Sequence, residues 1–150
     1  MIVVEHEIVI HRPPEEVWRY LAEGFFEHVM DFNPDAVLAE RIDGGPMRKG
    51  ARGREAQVIQ GKRREREVVV DAWEPLRVFA LRNAAATSLE THYLSRWRLV
   101  PVAEGTRVEQ RFELQWTMLL FRVLRPLIRR AIAKDLAAAL GRIKAAVESG

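Results

Sequence analysis

Few side chains in this sequence have chemical reach, and their types point to binding more than to covalent chemistry. Cysteine is absent, which removes disulfides, thiolate nucleophiles and thiolate metal ligands together. The four histidines, His6, His11, His28 and His92, show no metal-ligand spacing. Gly44-Gly45 and the glycines of 50–53 lack a following Gly-Lys-Ser or a strand–helix dinucleotide context, and no Gly-x-Ser-x-Gly elbow occurs. Neither a metal nor a cofactor is expected. What remains is a set of polar groups at positions that should be apolar. His6 shares a strand face with Val4 and Ile8, where it reads either as a satisfied histidine or as a donor to a ligand carbonyl. Tyr93 and Gln110 share, with Thr91 and Ser95, the apolar faces of two late strands. A buried polar group must be paired by protein, water or ligand, so these two either bond each other or water, or orient a ligand.

Arg64 and Arg66 have the phase of Val68 and Val70. If that face points inward throughout, they enter the mouth of a cavity and can pair with a carboxylate or phenolate. The plainer reading starts the strand beyond the core at Gly61 and leaves both in water. The wider basic cluster, Arg48, Lys49, Arg52, Arg54, Lys62, Arg63, Arg64 and Arg66, is broken by Glu55 and Glu65. It carries no stacking aromatic, so no nucleic-acid partner is expected. A net charge of +3, from 24 basic against 21 acidic residues, fits a mixed-sign soluble surface.

The elements that must hold these residues follow from periodicity. Residues 2–11 alternate, with Ile2, Val4, His6, Ile8 and Ile10 on one face, and predict a first strand. Pro13-Pro14 ends it, and Glu15 and Glu16 suit the start of a helix. Val17, Trp18 and Leu21, then Phe25, Phe26, Val29, Met30 and Phe32, predict two short helices around Gly24. Strands are predicted at 36–42, 51–59, 62–73, 76–83, 88–100 and 105–116, punctuated by turn residues. In the last two, odd positions 89–99 and even positions 108–116 alternate with charges and should face inward. From 126 to 148 the period becomes helical, and Leu127, Ile128, Ala131, Ile132, Leu136, Ala139, Leu140, Ile143 and Val147 form a broad stripe. A break or kink is predicted at Pro126, with 116–125 as a separate apolar turn or short helix. That stretch, with Arg122, Arg125, Arg129 and Arg130 beside it, packs in the core, meets a partner subunit in a homodimer, or touches a membrane transiently.

With 48% hydrophobic residues in 150, the chain can fill the core of one domain spanning 1–150. The charged, alternating N-terminus reads as a strand and not a signal peptide, so the cytoplasm is the expected location. The predicted class is α+β, an antiparallel sheet with one apolar face covered by one long helix. An apolar cavity is expected where the sheet opens, walled by Trp18, Phe26, Trp97, Phe112, Leu136 and Ala139, with His6, Arg66, Tyr93 and Gln110 as its polar groups.

The run Ile8-Val9-Ile10-His11-Arg12-Pro13-Pro14-Glu15-Glu16-Val17-Trp18 resembles the strand-to-helix passage of the START/Bet v 1-like (SRPBCC) superfamily, in its polyketide cyclase/dehydrase and lipid-transport group. Ala72-Trp73-Glu74-Pro75-Leu76-Arg77 is similar to that group's hairpin, and Gly105-Thr106-Arg107-Val108 to its start of the last strand. The resemblance implies a helix-grip fold and a deep cavity for a hydrophobic small molecule, a lipid, quinone or polyketide-like compound. It implies two functional alternatives, a carrier or sensor of such a molecule and an aromatase/cyclase acting on it, and leaves open whether a reaction is catalysed.

Overall fold

A computed structural model describes residues 1–84, 92–115 and 119–150. The first strand, β1 (Ile2–Ile10), is followed by α1 (Pro14–Trp18), a π-helical turn (Arg19–Glu23) and α2 (Phe25–Phe32). Six strands come next: β2 (Ala36–Arg41), β3 (Arg52–Ile59), β4 (Lys62–Glu74), β5 (Val78–Asn83), β6 (His92–Val102) and β7 (Gly105–Gln115). The chain closes with α3 (Leu119–Ser149). The sheet is antiparallel with the order β1-β7-β6-β5-β4-β3-β2. It curves around α3 in a helix-grip arrangement.

Alternation sorts the sheet's faces. In β6, Tyr93, Ser95, Trp97 and Leu99 are buried while Arg96 and Arg98 are exposed. In β7, Thr106, Val108 and Gln110 are buried and Arg111 is exposed. The charges sit where water can reach them, and burial of the alternate apolar positions drives the packing. The predicted inward face therefore holds at the described positions; Leu89, Thr91 and Trp116 lie outside the described residues.

Helix α3 corrects one expectation. It runs from Leu119 through Pro126 as a single helix of 31 residues, so 119–125 belong to it, while 116–118 lie outside the described residues. Proline removes one N–H and leaves the Arg122 carbonyl without its helical donor. Arg122, Arg125 and Pro126 are exposed, so water can serve that carbonyl. Phe121 and Leu136, on opposite sides of the proline, both join Ile2 and Val4 in one apolar cluster, which anchors both halves of the helix to β1. Phe121 thus belongs to the core, at 5% exposure.

The far end of α3 is fastened to β1 by polar contacts. Lys144 Nζ donates to the Val9 carbonyl at 2.7 Å and to Glu148 Oε1 at 2.8 Å. The backbone N–H of His11 donates to the same Glu148 oxygen at 3.0 Å. Together these contacts hold the Glu148 carboxyl below its usual range.

Candidate ligand-binding cavity

Between α2, the inner face of β3–β7 and the middle of α3 lies a cavity of about 370 Å³. Phe25, Val29, Leu81, Trp97, Phe112, Leu114, Ile132, Leu136 and Ala139 supply apolar wall. Phe79 stacks on Trp97 from behind, ring centres 5.5 Å apart, and fixes the indole's plane. Its size falls in the range of small-molecule pockets. A wider groove of about 1160 Å³ runs past Glu5, Glu7, Arg96, Arg98, Glu109 and Arg111 on the sheet's charged side. There Arg111 pairs with Glu5 at 2.7 Å and with Glu113 at 3.0 Å. Such solvated, mutually paired charges make a poor apolar site, and the smaller cavity is the better candidate.

Polar groups gather at one side of the cavity. In the β3–β4 register Glu55 stands opposite Arg66, and Arg66 Nη2 approaches Glu55 Oε2 at 3.5 Å. The Arg66 guanidinium also lies 4.0 Å from the centre of the Tyr93 ring, a cation–π contact. Burial pushes the Glu55 carboxyl up, against the lowering effect of Arg66. Burial likewise pushes the Tyr93 phenol up, so it stays protonated. Gln110 Nε2 donates to Ser95 Oγ at 3.0 Å, and Tyr93 stacks with Phe112 at 6.1 Å. Three buried polar atoms on cavity-lining residues have no protein partner: Arg66 Nε, Trp97 Nε1 and Gln110 Oε1.

Seven residues expected at a site, Arg66, Tyr93, Trp97, Gln110, Phe112, Leu136 and Ala139, line this cavity together. Three do not. His6 stands opposite Gln110 in the register but is exposed with Glu5 and Glu7, because Ile2 and Val4 join one apolar cluster and Ile10 the other, leaving the middle of this edge strand in water. Trp18 is buried in the core, edge-on to Trp73 at 4.9 Å. Phe26 fills the space beside Gly53, where a Cβ would lie 2.2 Å from its ring.

The plainer reading of the two arginines holds for one and is corrected for the other. Arg64 is exposed, but Arg66 is drawn in by Glu55 and Tyr93. Tyr93 and Gln110 do not pair, since Gln110 stands opposite Trp97 and Tyr93 opposite Leu114. Glu55, read from sequence only as a break in a basic cluster, is buried at the cavity wall. The available signal was its alternation with Gly53 and Gln57, which places it on the face opposite Arg54.

A sheet gripping one long helix over an internal cavity defines a class of small-molecule-binding folds. A family model described as polyketide cyclase / dehydrase and lipid transport matches residues 1–148, and the chain belongs to that family. No curated protein matches the sequence. Among solved structures, TTHA0849 of Thermus thermophilus is 22% identical with a TM-score of 0.79, covering 98% of this chain and 97% of that one. The Zhui aromatase/cyclase of a Streptomyces species is 19% identical with a TM-score of 0.73, covering 97% of this chain and 93% of that one. Truncated norcoclaurine synthase of Thalictrum flavum is 20% identical with a TM-score of 0.71, covering 97% and 92%. At these identities the likeness is one of fold.

Proposed function

We propose that the protein binds a hydrophobic small molecule, lipid, quinone or polyketide-like, with an oxygen-bearing end turned toward Arg66. The observation that carries this reading is the trio of unpartnered buried atoms on residues that line the cavity: two donors, Arg66 Nε and Trp97 Nε1, and one acceptor, Gln110 Oε1. A buried polar group without a partner costs about 1–3 kcal/mol, and a ligand that supplies the partners recovers it. A carbonyl, carboxylate or phenolate oxygen suits the two donors, and a hydroxyl suits Gln110 Oε1. Apolar burial against Phe112, Leu136 and Ala139 supplies affinity at roughly 25 cal/mol per Å², while the polar trio fixes orientation.

Native mass spectrometry of freshly purified protein tests the reading. A co-purified small molecule carrying an oxygen function is the expected result. Apoprotein that also fails to enhance the fluorescence of an apolar aromatic probe refutes it.

Glu55 favours a second reading, an aromatase/cyclase-type enzyme. A buried carboxyl that resists ionisation, set beside a guanidinium inside a cavity, can hold a proton while Arg66 faces developing enolate charge. The enzyme names of two solved relatives support the comparison. Turnover of a polyketide-like substrate that Glu55→Gln abolishes, with substrate binding retained, distinguishes the enzyme from the carrier.

A further inference from the structure

We infer that the first half of α3 is a docking surface for an anionic lipid bilayer. One side of this segment is occupied: Phe121, Ile128 and Ile132 pack with Ile2 and Val4. The other side carries Leu119, Leu120, Val123 and Leu127, which are 76, 62, 73 and 63% exposed. At 3.6 residues per turn these four fall within an arc of about 100°, so they form one continuous apolar strip and not scattered surface residues. No acidic residue occurs from Leu119 to Lys134, and the segment carries Arg122, Arg125, Arg129, Arg130 and Lys134, all exposed. Among the described residues none of the five makes an ion pair; Arg125 donates to the Met1 carbonyl at 2.9 Å. Arg130 and Lys134 fall on the angular position of the apolar strip, within two turns past Leu127, and Arg122 and Arg129 border its other side.

Charge decides the occupant. A second copy of the chain, meeting this surface about a two-fold axis, would set five unneutralised cations against the same five. An anionic bilayer offers the opposite charge at headgroup depth and an apolar boundary beneath it. The apolar strip suits that boundary, Arg122 and Arg129 at its border suit the headgroups, and the long stems of Arg130 and Lys134 can reach back to them. The membrane would hold the helix lying along its surface, since no helix among the described residues is long and apolar enough to cross one. Ala131 and Ala138 continue the strip along α3, and Ala138 lines the cavity. Docking therefore turns one rim of the cavity toward the lipid. The docking itself stands on the exposed strip alone and survives if the cavity proves empty.

Cosedimentation of the full chain with phosphatidylcholine vesicles, with and without phosphatidylserine, tests the inference. The protein is expected to pellet with the anionic vesicles at low salt, to stay soluble with neutral ones, and to be released as salt screens the attraction. Replacing Leu120, Val123 and Leu127 together by serine should cut vesicle affinity at least about tenfold with the circular dichroism spectrum unchanged. R129E combined with R130E should abolish the preference for phosphatidylserine. Three results would overturn the inference: wild-type protein left in the supernatant with anionic vesicles at low salt, undiminished binding by the triple serine variant, or a wild-type dimer in light scattering that the triple variant converts to monomer.

Discussion

Arg66 sits over the Tyr93 ring, its guanidinium carbon 4.0 Å from the ring centre, while its Nη2 reaches Glu55 and its Nε is left without a partner. The two flanking contacts hold the guanidinium in place, so the unpartnered Nε–H is fixed before any ligand arrives. A preorganised donor loses less freedom on binding than a mobile one. Arg66→Met should therefore weaken binding of an anionic aromatic probe such as anilinonaphthalene sulfonate. A charge-assisted hydrogen bond of about 1.5–3 kcal/mol corresponds to roughly a tenfold to hundredfold rise in Kd. Arg66→Lys should recover only part of this, because an ammonium keeps the charge but not the planar fork over Tyr93. Fluorescence titration gives both numbers, and equal affinities for all three proteins would place the probe elsewhere.

Glu55 gives the stability a pH dependence of definite sign. Its carboxyl is raised above the usual 4.5 by burial, with Arg66 opposing. Below the usual value both folded and unfolded chains hold the proton, and no penalty exists. As pH rises from there toward the raised folded value, the unfolded chain ionises first and stability falls. Glu55→Gln removes the ionisation and should flatten this decline, giving a variant close to wild type in acid and more stable near neutral pH. Urea midpoints measured across that range check it; an unchanged slope would mean that Glu55 is not the group responsible.

Ala139 tests whether the cavity limits ligand size. It is half-buried on α3 and lines the cavity beside Leu136. Ala139→Leu places three more carbons where the space is empty, so the overpacking penalty of a filled core, about 1–3 kcal/mol, should be largely avoided. Thermal unfolding should shift by a few degrees at most, while affinity for a co-purified ligand or an apolar probe drops. A folded variant with unchanged affinity would show that the ligand does not use this part of the cavity.

How far the sequence discloses this arrangement varies with the physics involved. Strands β6 and β7 were legible because Arg96 and Arg98, then Arg107, Glu109 and Arg111, occupy every second position, and charges on one face declare the other. The phase of Arg66 was legible for the same reason, but its fate was not. Whether Arg66 turns inward depends on Glu55, and that pairing exists only once β3 and β4 adopt their register. Trp18 and Phe26 show a different limit: aromatic type marks burial but does not separate core from cavity wall. At Pro126 a local rule gave way to tertiary packing, since contacts on both sides of the proline keep the chain helical through it. His6 had the right phase, yet its place in the exposed middle of an edge strand overrode it.

The last prediction concerns the corner where β7 begins. Gly105 has φ +144°, and a Cβ there would meet the Ile10 carbonyl oxygen at 2.2 Å, with Arg12 N at 2.8 Å and Arg12 O at 2.9 Å. All three are backbone atoms, so no side chain can rotate aside. Thr106 tightens the same corner by donating from Oγ1 to the Arg12 carbonyl at 2.9 Å. That carbonyl precedes Pro13-Pro14, whose rings limit how far the chain can shift. Gly61, at φ +77°, has open space around its Cβ position and provides the control. Gly61→Ala should cost only the conformational penalty, about 1–2 kcal/mol. Gly105→Ala adds steric displacement of the β1 end, about 1–3 kcal/mol more. Chemical denaturation of the two variants reads the difference directly. Equal destabilisation would mean that the end of β1 yields to the β6–β7 hairpin at little cost.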